Sequence, residues 1–77
     1  MGFERSGDHA KAIDHYRRAI RLHGKEHRFH AALARVHALN GDSRQAAAAL
    51  KHAASLSEGE QRARYQQQLQ GLRQASN

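Results

Sequence analysis

Apolar residues recur at helical spacing through most of the chain, and four short polar or glycine-bearing interruptions divide the pattern. Residues 1–6, with Phe3 as their one large apolar group, read as the end of a short helix. Gly7 is suited to close that helix as a left-handed C′ residue, and Asp8 to cap the next. Ala12, Ile13, Tyr16, Ala19 and Ile20 then fall at i, i+1, i+4, i+7 and i+8, which predicts a helix from Asp8 to about Leu22. After His23-Gly24-Lys25, with Gly24 again suited to C′, a second helix is predicted over about Glu26–Leu39, with Phe29, Leu33, Val36 and His37 inward. The Asn40-Gly41-Asp42 turn stops it. Asp42 with Gln45 three residues on has the spacing of a capping box for a helix over about Ser43–Leu56. Beyond Ser57-Glu58-Gly59, a last helix over about Glu60–Ala75 carries only Tyr65, Leu69 and Leu72 as an apolar stripe. The fold class predicted is all-α, with a core of Ile13, Tyr16, Ala19, Leu33, Val36, Leu50, Ala53, Tyr65 and Leu69.

The pattern repeats. Gly7, Asp8, Ala12, Tyr16, Ala19 and Leu22 are each followed 34 positions later by Gly41, Asp42, Ala46, Leu50, Ala53 and Leu56. A period of that length marks stacked helix-turn-helix units. On these residues, together with the Leu33-Ala34 pair, the chain resembles the tetratricopeptide repeat family. His30 stands where that family prefers tryptophan, His37 where it prefers tyrosine, and Gly24 and Glu58 where proline is common. The resemblance implies antiparallel helix pairs in a right-handed superhelix. Residues 1–25 would form a partial repeat, 26–59 a full repeat and 60–75 a capping helix, all in one domain of residues 1–75 with 76–77 as a frayed tail. It also implies a non-catalytic scaffold holding a peptide or partner helix in a concave groove. By resemblance, Arg28, Ala31, Arg35, Ala38 and Leu39 line that groove, flanked by Glu4 and Arg5 on one side and Gln66, Gln70 and Arg73 on the other. Ala31 stands where some members place a lysine that clamps a C-terminal carboxylate, so the expected ligand is an acidic or mixed peptide held along the groove.

Composition narrows the picture. Alanine and leucine dominate the apolar residues, proline is absent, and the 77 residues suffice for one small domain. Cysteine is absent, which excludes disulfides and thiolate metal sites. No stretch approaches the roughly 18 apolar residues of a membrane span, and the first residues lack a signal peptide's apolar segment. The expectation is a soluble cytoplasmic protein, unless the chain is a piece of a longer exported one. The short first helix would leave the apolar face of helix 8–22 under-covered, so either further upstream repeats or a homodimer should cover it.

Thirteen Lys and Arg against seven Asp and Glu give a formal charge of +6, and ten of the cations are arginine. This favours anionic partners, with Arg suited to bidentate pairing. Arg17, Arg18, Arg21 and Lys25 support an alternative reading as a basic nucleic-acid or anionic-surface module. No aromatic residue interleaves them for stacking, so a solvated face is the competing reading and nucleic acid is not the expected partner. The seven histidines invite a metal, but His30 and His37 lie about 10 Å apart along a helix, and nothing completes a four-ligand set. They read as packing residues in place of aromatics. No nucleophile, base and carboxylate share a recognisable turn, and the glycines stand singly, so neither catalysis nor a cofactor is expected.

Overall fold

The computed structural model describes the backbone of residues 2–75 and the side chains of residues 8–72. Four helices follow one another: α1 (Gly2–Leu22), α2 (His27–Leu39), α3 (Ser43–Ser55) and α4 (Gly59–Ala75). Among the described residues there is no strand, and no helix is long and apolar enough to cross a membrane. Connections this short fold each helix back against its predecessor. α2 packs on both α1 and α3, and α4 packs on α3. The Cα trace is a slab of 39 × 35 × 15 Å.

One predicted boundary is overturned. No break occurs at Gly7-Asp8, because α1 runs unbroken from Gly2 to Leu22. Continuing through Gly7 costs about 1 kcal/mol of helix propensity and keeps the i→i−4 hydrogen bonds. Propagating an existing helix adds a bond per residue, whereas a break needs a new and costly nucleus, so continuation wins. Phe3 and the other side chains of residues 1–7 lie outside the described set. Gly24 is corrected too, since the left-handed glycines among the described residues are Gly41, at φ 81°, and Gly59, at φ 58°. A Cβ on Gly24 would lie 3.3 Å from the Ile20 carbonyl oxygen, so here glycine serves close approach and not handedness.

Asn40-Gly41-Asp42 closes α2 with a Schellman motif. The Asp42 N–H donates to the His37 carbonyl at 2.8 Å and the Gly41 N–H to Ala38 at 3.0 Å. Asp42 then caps α3, its Oδ1 accepting from the Gln45 N–H at 3.4 Å. The capping box is only half made, because the Asp42 N–H is already spent on His37 and the Gln45 side chain turns elsewhere. At the far end of α3, Arg62 Nε donates to the carbonyls of Ala54 (3.1 Å) and Ser57 (3.0 Å) and so ties α4 to the end of that helix. Gly59 then turns the chain into α4.

The core sits around α3, flanked on both sides. Ala34, Ala49, Leu50, Ala53, Ala54 and Tyr65 form one buried cluster, with Leu33, Leu69 and Leu72 partly buried against it. Alanine lets the helix backbones approach closely, which leaves Leu50 and Tyr65 as the two large side chains in the cluster. Of the predicted core, Val36, Leu50, Ala53 and Tyr65 are buried. Ile13, Tyr16, Ala19, Leu33 and Leu69 are only partly buried. None of α1's described residues is buried, since α1 has a neighbour on one side only. His37, predicted as a packing residue, is 5% exposed, and its Nδ1 has no hydrogen-bond partner.

Candidate functional site

Among the described residues, a surface groove of about 590 Å³ is built on α2. Ala31, Arg35 and Ala38 fall at i, i+4 and i+7 and line it as one helical stripe, with Ala32, Ala34 and Val36 beside them. α4 supplies Gln68, Gly71 and Leu72, α1 supplies Tyr16, and Leu50 reaches through from α3. The alanines and Gly71 give the groove its width, because they fill almost none of the space between α2 and α4. Its lining is apolar apart from the tips of Tyr16, Gln68 and Arg35.

The spacing of α2 and α4 is held by a contact absent from the sequence reading. The Tyr65 hydroxyl and His27 Nδ1 share a hydrogen bond of 2.7 Å, with the rings edge to face at 5.6 Å and 65°. Tyr65 is 4% exposed, so its hydroxyl needs a protein partner. That need was legible from Tyr65 as the single aromatic of its helix. The identity of the partner, 38 residues away, was not.

The structure gathers only part of the predicted ligand face. Ala31, Arg35 and Ala38 meet in the groove, whereas Arg28 and Leu39 do not line it. Arg28 is held by Glu26, the N-cap of α2, through Nε to Oε1 at 3.1 Å and Nη2 to Oε2 at 3.4 Å. Those hydrogen bonds, together with the Arg28 backbone N–H, hold the Glu26 carboxyl below the usual carboxylate range and raise the Arg28 guanidinium. The pair of forks expected from Arg28 and Arg35 is therefore reduced to Arg35, which makes no ion pair among the described residues. Leu39 is 67% exposed at the end of α2.

On α4, Gln66 and Gln70 are exposed outside the groove, which Gln68, Gly71 and Leu72 line instead. The stripe of Tyr65, Leu69 and Leu72 was predicted correctly as inward-facing. Which flank of that stripe meets α2 depends on how α4 crosses α3, and the sequence pattern is symmetric in that respect. Arg5, Arg73 and Glu4 carry side chains outside the described set. Among the described residues, no three His, Asp or Glu side chains converge in a way that could hold a metal ion. Compared with known proteins, the chain matches no family model, no curated protein and no solved structure at a significant level.

Proposed function

We propose that this chain is a non-catalytic interaction module of tetratricopeptide type, and that an acidic peptide segment occupies the groove between α2 and α4. The observation that carries the reading is the groove itself. It is a trough of about 590 Å³, floored by alanine, Leu50 and Leu72, with the Arg35 side chain in its wall. Small residues along a helix leave room for a peptide backbone to lie close, and an arginine beside an apolar floor selects a carboxylate at one position along it. The net charge of +6 steers acidic segments toward the surface. The 34-residue periodicity and the α2–turn–α3 hairpin support the family reading, while the uninterrupted α1 departs from it.

The test is fluorescence anisotropy of labelled acidic peptides against the whole chain at two salt concentrations. Affinity on the order of micromolar is expected for so short an array. Arg35→Glu should weaken binding by about tenfold or more while leaving the melting temperature unchanged, since the side chain is exposed and pairs with nothing described. Gly71→Leu, which puts a side chain into open space within the groove, should weaken it independently. Binding that survives both substitutions but collapses when Arg17 and Arg21 are reversed would refute the groove as the site.

A further inference from the structure

The basic residues that stand out along α1 do not act together. Arg18 turns to Asp14 in an exposed ion pair of 3.1 Å. Arg17 and Arg21 instead line a second cleft, of about 360 Å³, between α1, α2 and α3. This cleft shares no lining residue with the peptide groove. On α2 it uses the stripe of His30, Leu33 and His37, a face distinct from that of Ala31, Arg35 and Ala38.

Its polar lining is regular. Each of the three helices contributes two side chains: Arg17 and Arg21 from α1, His30 and His37 from α2, Gln45 and His52 from α3. The rest is apolar, Ile20 and Leu33 with two alanines of α3, and no carboxylate lines the cleft. Of the six polar side chains, Arg17, Arg21, Gln45 and His52 are exposed, and only His37 is buried. Here two imidazoles, His30 and His52, stack at 5.4 Å and 28°. His30 Nε2 donates to the Gly24 carbonyl at 3.2 Å, which fixes the ring at the cleft wall. His37 lies at the base, 5% exposed, with the Nδ1 that lacks a hydrogen bond 4.0 Å from Asp42 Oδ2. Although three histidines line the cleft, they do not converge as metal ligands do. Two guanidinium side chains, with no carboxylate among the lining residues and Asp42 beside His37 only at the base, make this a site for an anion.

We propose that this cleft binds a phosphate monoester. Arg17 and Arg21 are neighbours at i, i+4, about 5–6 Å apart at their roots, so two guanidinium forks can address different oxygens of one dianion. The stacked imidazoles face them from α2 and α3. The apolar side chains offer contact to the carrier of the phosphate, whether a phosphorylated side chain or a small phosphorylated metabolite. The proposal is independent of the peptide groove.

The test is a ¹⁵N–¹H titration of the whole chain with inorganic phosphate at constant ionic strength, with acetate and extra chloride as controls. The expected result is saturable shifts confined to residues around Arg17, Arg21, His30, His37 and His52, with affinity on the order of millimolar. Arg17→Gln with Arg21→Gln should weaken it by about tenfold or more. Arg18→Gln, an equal charge removed from the same helix outside the cleft, should change it by less than about twofold, as expected for an exposed charge. A phosphoserine peptide and a nucleoside 5′-monophosphate then identify the carrier by which binds more tightly than inorganic phosphate. Shifts that never saturate, a response equal for acetate, or equal losses from Arg18→Gln and from the Arg17 and Arg21 pair would overturn the proposal. His52→Gln supplies a second check, because His52 is exposed and its loss should weaken phosphate binding with the fold intact.

Discussion

Replacing Leu50 by alanine should be among the most damaging substitutions in this protein, and the structure says by how much. Four of the six residues in the buried cluster are alanines, so Leu50 and Tyr65 supply most of the apolar volume between α2, α3 and α4. Leu50 is 4% exposed. Removing its three outer carbons forfeits about 2–2.5 kcal/mol of transfer free energy at ~0.8 kcal/mol per methylene. A cavity contribution adds to this, because alanine neighbours have no side-chain rotamers with which to refill the space. The sum is about 3–4 kcal/mol, inside the usual range for buried leucine. A domain with about 70 ordered residues is stable by only about 4–10 kcal/mol, and one with this core belongs in the lower half. The mutant should therefore melt about 12–30 °C below the parent, at about 4–8 °C per kcal/mol. Thermal denaturation followed by circular dichroism at 222 nm reads this directly. Leu33→Ala is the internal control: Leu33 is partly buried at the edge of the cluster, and its loss should be about half as large. A Leu50→Ala melt within a few degrees of the parent, or one less affected than Leu33→Ala, would refute the placement of the core around α3.

Four further outcomes follow from single positions. Gly71→Ala should stabilise the protein by about 0.5–1 kcal/mol, because Gly71 lies within α4 and a Cβ there meets nothing within 4 Å; a lower melting temperature would contradict the open groove wall. Gly41→Ala should destabilise by about 1–2 kcal/mol purely through its φ of 81°, and Gly41→Asn should lose less in the same chemical denaturation assay. Tyr65→Phe should cost about 1 kcal/mol by leaving His27 Nδ1 without its 2.7 Å partner, and should leave the helical circular-dichroism signal in place. Glu26 titrates below its ordinary value because of Arg28, so its contribution is present above the usual carboxylate range and is lost as pH falls through the lowered value. Stability measured below about pH 4 should accordingly fall less steeply in Glu26→Gln than in the parent, and an identical acid limb would contradict the capping role.

How much was legible in the sequence differs from helix to helix. The helical periods, the Asn40-Gly41-Asp42 turn with its left-handed glycine, the Asp42 cap and the inward faces of α3 and α4 all depend on interactions within a few residues. Backbone sterics and side-chain period settle them before any helix meets another. Gly7-Asp8 shows where the same local signal misleads. It matches Gly41-Asp42 in type, yet the helix continues through it. The two copies share Gly and Asp but differ around them, Ser6 and Lys11 standing where Asn40 and Gln45 do.

The candidate sites depended on tertiary structure to a greater degree. Periodicity placed Ala31, Arg35 and Ala38 on one stripe, and they do line one groove. It could not tell which flank of the α4 stripe would face them, so Gly71 and Gln68 were missed and Gln66 and Gln70 were expected in their place. It could not foresee that Glu26 would take up Arg28, since the chain must turn at Glu26 for the carboxylate to reach both the backbone N–H and the guanidinium. Nor could it separate Arg17 and Arg21 from Arg18, which differ by 100° steps around one helix but end in different environments. Local chain chemistry determined that this protein is built of helices, where they end and which side of each is apolar. The packing of α1 and α3 against α2 decided which polar residues would be brought together, because side chains distant in sequence share a cleft only when helix crossings place their free flanks face to face.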